Sequence, residues 1–265
     1  MAVPDEDTIL FAHRLADAAG AVIRPFFRRR IAVIDKGKIA FDPVTAADRE
    51  AEAAMRALIR RERQRDGILG EEHGAEPGQS GRRWVLDPID GTRAFITGRP
   101  TWGTLIALEE DSVPILGIID QPVLRERFVG YQGHAEFHSP DGPAALGARA
   151  CSALAEAAVS TTHPWGYFTA VERSGFEAVC AAARMSYFGG DCYAYALLAM
   201  GYIDLIVEAS LAVWDVAALI PVVENAGGVF TDWNGAPAHG GGRIVAAGDA
   251  RVHAEVLEIL SRFLD

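Results

Sequence analysis

Two aspartates three positions apart, in Trp84-Val85-Leu86-Asp87-Pro88-Ile89-Asp90-Gly91-Thr92, are the residues best placed to do chemistry. Trp84 to Leu86 read as the end of a buried strand, so both acids are expected on the turn that follows it. Pro88 fixes one φ and removes a backbone donor, and Gly91 permits a sharp turn or a close backbone approach. Two carboxylates crowded onto a stiff turn repel each other unless a cation lies between them. Oxygen-only donors select a hard ion such as Mg²⁺ or Mn²⁺. The amides of Gly91 and Thr92 could then take a phosphate beside it. A lone D-P-x-D is more often a solvated turn, so the assignment depends on further acids. Two more stand at expected element ends: Glu71 after a short strand, and Asp215 at a helix start. Alone, Asp215 would cap its helix and Glu71-Glu72 would be a solvated turn. Together the four carboxylates suffice for a site of two or three ions.

The elements that must carry these residues follow from periodicity. A helix from Thr8 to about Arg30 should kink or end at Pro25, with Arg28-Arg29-Arg30 in a last turn that suits its dipole. Ile31 to Ile34 alternate weakly, as an edge strand would, and Lys36 to Phe41 reads as a loop. Thr45 is an N-cap with Asp48 as its capping acid, opening a helix to Arg65. Ile68 to Gly70 is a short strand, and residues 75–82 form a surface loop. Thr104–Leu108, Ile115–Ile119 and Arg127–Tyr131 suggest an antiparallel meander. Residues 138–150, rich in Pro, Gly and Ala, mark a boundary. It separates an α+β half (1–142) with most of the acidic candidates from an α/β half (143–265) with Asp215 and further candidates. In the second half, strands at Val159–Thr161, Met185–Phe188, Ile203–Val207, Val229–Phe230 and Ile244–Ala247 alternate with helices. Those helices are Thr169–Ala183, Tyr193–Met200, Asp215–Ala226 and Val252–Leu264.

A chain of 265 residues, half of them apolar, can bury a large core. Its formal charge of −11 argues against a nucleic-acid or anionic membrane surface. No run of eighteen apolar residues and no signal peptide are visible. Three cysteines without metal-ligand spacing fit reduced thiols and a cytoplasmic location. The histidines show no ligand spacing, and most are expected at the surface.

Gly70-Glu71-Glu72, Asp87-Pro88-Ile89-Asp90-Gly91-Thr92 and Trp214-Asp215-Val216-Ala217-Ala218, in this order and spacing, resemble the inositol monophosphatase superfamily. The resemblance runs from the Lys36 loop and Asp42-Pro43-Val44-Thr45-Ala46-Ala47-Asp48 to Glu224-Asn225-Ala226-Gly227-Gly228. It implies a layered αβαβα sandwich and a homodimeric, lithium-inhibited phosphomonoesterase using two or three Mg²⁺ ions, which Mn²⁺ can replace. It implies that Glu71, Asp87, the Ile89 carbonyl, Asp90 and Asp215 hold the ions, with Asp90 bridging. Asp48 and Thr92 would then orient and deprotonate the attacking water, and the Gly91 and Thr92 amides would bind phosphate. Paired divalent ions suit such a reaction because they clamp both the attacking and leaving oxygens. No Ser or Cys nucleophile is required, so Cys192 need not be reactive.

Two stretches separate branches of that superfamily. Asp90-Gly91-Thr92-Arg93-Ala94-Phe95-Ile96-Thr97-Gly98-Arg99-Pro100 carries Arg93 where inositol phosphatases tend to have Thr-Asn-Phe. Gly189-Gly190-Asp191-Cys192-Tyr193-Ala194-Tyr195 departs from their Gly-Ser/Thr-Ala-Ala run. Both resemble the histidinol-phosphate phosphatases of histidine biosynthesis. This implies L-histidinol phosphate as substrate, with Asp191, Glu208 and Arg93 as substrate-binding candidates. Asp191 at a helix start could equally cap it, and Glu208 is expected at a strand end. Alternatives are inositol-1-phosphate or another sugar phosphate, a phosphatase-like regulator that binds protein, and a bisphosphatase. The last would want a basic pocket, and His163, Arg173 and Arg184 are too scattered to identify one.

Overall fold

A computed structural model describes residues 4–35 and 43–264. Helix α1 (Glu6–Ile23) begins where Asp5 accepts a hydrogen bond from Thr8 N, and it stops ahead of Pro25. The arginine run therefore lies past the helix and not in its last turn, which holds no basic residue. Arg28 adopts a positive φ and donates to the Gly98 carbonyl instead. The expected edge strand shrinks to β1 (Ile34–Asp35), antiparallel to β2 (Pro43–Val44). The lysine loop and Asp42 fall outside the described residues. Helix α2 (Ala46–Glu62) carries the expected capping box, with Thr45 N donating to Asp48 Oδ2 and Ala47 N to Thr45 Oγ1.

Strands β3 (Gly67–Gly70), β4 (Gly74–Glu76) and β5 (Arg82–Asp90) follow, then the short helix α3 (Thr92–Ile96). The meander is β6 (Gly103–Glu110), β7 (Val113–Gln121) and β8 (Glu126–Tyr131), extended by β9 (His134–Ser139) and β10 (Gly142–Ala145). Together they form an eight-stranded sheet in the order β10-β9-β8-β7-β6-β5-β3-β4, in which only β3 and β5 run parallel. Two strands, β4 and β10, were expected as loop. Both are short, exposed and held by backbone pairing, so no apolar alternation announces them.

The chain then builds β11 (Ala158–Thr161), α4 (Pro164–Tyr167), α5 (Ala170–Ala182), β12 (Met185–Phe188), α6 (Asp191–Ala199) and β13 (Leu205–Leu211). After these come α7 (Val213–Val216), α8 (Leu219–Asn225), β14 (Val229–Asp232), β15 (Gly242–Ala247) and α9 (Ala250–Leu260). Their sheet has the order β12-β11-β13-β15-β14, parallel at one end and antiparallel at the other. The single helix expected over Asp215–Ala226 is two. Pro221 has no N–H to give the Ala217 carbonyl, which favours a break there.

Strand alternation sorts the side chains into three cores. Trp84 and Leu86 pack with α1 and α2, whereas Val85 packs with α6 and α8 between the two sheets. In β13, Ile206 joins that middle core while Leu205 and Val207 face α5 and α9. The layers are thus α, β, α, β, α. The middle layer lies very close to the first sheet: a Cβ on Gly117 or Gly130 would run into the Ala218 or Pro221 carbonyl. That seats α8 against β7 and β8, with α7 ahead of it against β5. His253 is buried, contrary to the surface position expected for most histidines, and its Nε2 pairs with Thr231 Oγ1.

Candidate active site

Strand β5 does not end at Leu86. It pairs with β6 through Asp87–Leu105, shifts register, and resumes at Asp90–Gly103. The acids therefore lie on an irregular strand end and not on a following turn. A bulge of this kind re-aims side chains locally, and Pro88 contributes by withholding a ladder donor. Thr104 Oγ1 pins the Pro88 carbonyl at 2.8 Å, and Ile89 N donates to Asp87 Oδ1 at 3.0 Å. Glu71 N donates to the Leu86 carbonyl at 3.2 Å, which continues the parallel β3–β5 pairing and sets Glu71 beside Asp87. Asp90 Oδ2 accepts from Cys192 N at 2.6 Å, and Asp215 Oδ2 from Ala212 N at 2.6 Å. Asp215 is thus the third helical residue of α7, closing a box to Ala212, and not the opening residue expected. Carboxylate oxygens of Asp87 and Asp90, both on β5, and of Asp215 on α7 lie within 4.8 Å of one another.

Such a cluster is unstable as three bare anions. Burial, then the charge of Glu71, holds the Asp87 pKa well above its ordinary value. Burial, then Asp215, does the same at Asp90. A divalent cation removes both penalties, and the donors are all oxygen, which suits Mg²⁺ or Mn²⁺. The residues present fit a hard cation. The Ile89 carbonyl accepts from Thr92 Oγ1 at 3.1 Å and retains a second lone pair.

A cavity of about 390 Å³ opens over this cluster. Its lining includes Glu71, Asp87, Ile89, Asp90, Gly91, Thr92, Arg93, Asp191, Glu208 and Asp215, so ten of the eleven candidates converge. The exception is Asp48, which is buried and absent from that lining. Its Oδ2 accepts from both Thr45 N and Thr45 Oγ1, and burial raises its pKa to about 6. It still adds to the field at Asp87. Gly91 has φ +84°, and a Cβ there would sit 2.8 Å from Asp191 Cβ.

Asp191 is the first residue of α6, with φ +45°, and its carboxylate accepts from Thr101 Oγ1. It does not cap its own helix, since Asp90 takes the Cys192 N–H. Burial lifts its pKa to about 6. Glu208 lies inside β13, beside a register shift, and not at the strand end expected. Its Oε1 accepts from Thr162 N and Oγ1, both at 2.8 Å, and burial lifts its pKa to about 8. The Arg93 guanidinium lies over the Tyr167 ring at 5.0 Å. Burial also pushes the Cys192 thiol well up, which leaves it unreactive.

Sequence reasoning missed Tyr167, Thr162 and Tyr195 in this lining. Tyr195 Oη is buried with no hydrogen-bond partner among the described residues, although Glu208 and Asp90 lie within electrostatic reach. In an apolar helix it has the spacing of an ordinary core residue, so no signal marks it.

The family model for inositol monophosphatases matches residues 5–263. This chain belongs to the inositol monophosphatase family. A histidinol-phosphatase of Mycobacterium tuberculosis is 38% identical, over 96% of this chain and 98% of that protein. The chloroplastic bifunctional phosphatase IMPL2 of Arabidopsis thaliana is 42% identical over 93% of this chain and 72% of its own length. Among solved structures, an inositol monophosphatase from Zymomonas mobilis superposes with a TM-score of 0.86 at 45% identity, covering 97% of this chain and 98% of that one. The protein is therefore a phosphatase of this metal-dependent family, with an acidic cluster able to bind metal. Among the described residues no helix is long and apolar enough to cross a membrane.

Proposed function

We propose that this family member is a Mg²⁺-dependent phosphomonoesterase that hydrolyses L-histidinol phosphate to L-histidinol and phosphate, as a cytoplasmic homodimer in histidine biosynthesis. The observation that carries the substrate is the pair Asp191 and Glu208. Half-buried Asp191 and buried Glu208 line the same cavity as the Asp87–Asp90–Asp215 cluster, and loss of solvent raises the pKa of each. Such acids gain most from a cationic partner, because a charge-assisted hydrogen bond is roughly twice as strong as a neutral one. Histidinol offers an ammonium and a protonatable imidazole. A neutral polyol offers only hydroxyls. Histidinol-phosphatases among the relatives support the same substrate.

In this mechanism Glu71, Asp87, the Ile89 carbonyl, Asp90 and Asp215 would hold the ions. Bound divalent ions would neutralise phosphoryl charge and bring the pKa of water toward neutrality. The Gly91 and Thr92 amides take the phosphate, and Arg93 faces the alcohol beside Tyr167. Thr92 Oγ1 and Asp48 orient the attacking water. Asp48, with a pKa near 6 and anchored by Thr45, can accept its proton close to neutral pH.

An inositol or other sugar phosphate is the second candidate, favoured by the likeness to the Zymomonas mobilis inositol monophosphatase. The test compares kcat/KM for histidinol phosphate and p-nitrophenyl phosphate in wild type, Asp191→Asn and Glu208→Gln. Each variant should lose about 1.5–3 kcal/mol on histidinol phosphate, the usual worth of a hydrogen bond to a charged group. The p-nitrophenyl ester, whose leaving group carries no cation, should be spared. Equal losses on both esters would assign the two acids to the cation site or the fold.

A further inference from the structure

Glu52 and Arg56 sit one turn apart on the inner face of α2, and both are buried, at 0% and 1% exposure. Glu52 Oε2 accepts from Glu72 N at 2.7 Å. Its Oε1 accepts from His73 N at 3.1 Å and from Arg56 Nε at 2.7 Å. Arg56 continues the chain of contacts, donating to Glu76 Oε1 at 2.7 Å and to the Gly74 carbonyl. Gly70 rests directly on the Glu52 carboxylate, and a Cβ there would collide with it. One buried ion pair thus grips the backbone on both sides of Glu71, at Gly70 and at Glu72–Gly74. Glu71 itself faces the cavity.

Stability alone is a weak reason for such a pair, since well-packed apolar residues of similar volume often serve as well or better. Placement is a stronger one. We propose that Glu52 and Arg56 are positioning residues that hold the Glu71–His73 turn, so that the Glu71 carboxylate meets Asp87 at the cation site. The proposal rests on Glu71 being a cation ligand. Partners behind a ligand typically change metal affinity by about 10–100-fold when removed.

Calorimetric titration of the metal-free protein with Mg²⁺, beside thermal unfolding, tests this in Glu52→Gln and in the double variant Glu52→Leu, Arg56→Met. The amide of Glu52→Gln sets an N–H donor against backbone N–H groups, and the double variant replaces the pair by apolar volume. Both should bind Mg²⁺ about 10–100-fold more weakly, the double variant while melting close to wild type. Wild-type affinity in a folded variant would overturn the proposal. Loss of a cooperative melt in both would also overturn it, by assigning the pair to the fold. A wild-type protein that binds no Mg²⁺ would instead contradict the metal assignment itself.

Discussion

A carboxylate that has lost its water and gained only like-charged neighbours holds its proton until a cation arrives. Glu208 makes this measurable. Burial lifts its pKa from 4.5 to about 8, against the pull of the two Thr162 bonds. Between those values the folded protein keeps a proton that the unfolded chain has released, so stability falls as pH rises. Its contribution is complete below about pH 4.5 and lost above about pH 8. Asp191 and Asp48, each lifted to about 6, act in the same direction over a narrower window. The metal-free protein should therefore lose melting temperature from about pH 5 to 8. Glu208→Gln should flatten that loss, the underlying difference in stability being on the order of a few kcal/mol. Parallel curves for the two proteins would place the Glu208 proton elsewhere.

Elements decide where those carboxylates point, and the sequence was unevenly informative about them. Thr45 with Asp48 was legible because a capping box has a fixed spacing, and α2 opens on it. The Asp87–Asp90 pair was legible as chemistry but not as geometry. A register shift inside a strand leaves no mark on apolar alternation, so the strand end was expected at Leu86 and came at Asp90. Asp215 was found by its motif, while Pro221 was not weighed as a helix break. Asp191 and Glu208 came only from branch resemblance, and Glu52 from neither, since a glutamate inside an Ala-, Glu- and Arg-rich helix has the spacing of a solvated one. Their partners are set by packing between distant segments, which local pattern does not encode. The capping box carries a prediction at this scale. Thr45→Ala should cost about 1 kcal/mol of stability, the usual worth of an N-cap. It should also lower kcat by removing the Thr45 Oγ1 bond to Asp48, which leaves the carboxylate held only by the backbone N–H of residue 45. Urea unfolding beside steady-state kinetics checks both, and an unchanged kcat would remove Asp48 from the proposed water-orienting role.

For the whole molecule, the layered fold brings β5 of one sheet, α7 of the middle layer and β13 of the other sheet to one cavity. An acidic chain of net charge −11 can hold an anionic ester there only if cations supply the opposite charge. Mg²⁺ should accordingly stabilise the fold in a concentration-dependent way, by about 2.7 kcal/mol at a hundred times its dissociation constant, seen as a rising melting temperature. A melt indifferent to Mg²⁺ would count against the cation site. The central proposal joins that site to a cationic alcohol, and phosphate release from equimolar histidinol phosphate and inositol-1-phosphate, with Mg²⁺ and after EDTA, tests it most directly. The expected result is a higher kcat/KM for histidinol phosphate, abolished by EDTA and restored by Mg²⁺. A preference for inositol-1-phosphate would contradict the proposed substrate, and full turnover without metal would contradict the mechanism.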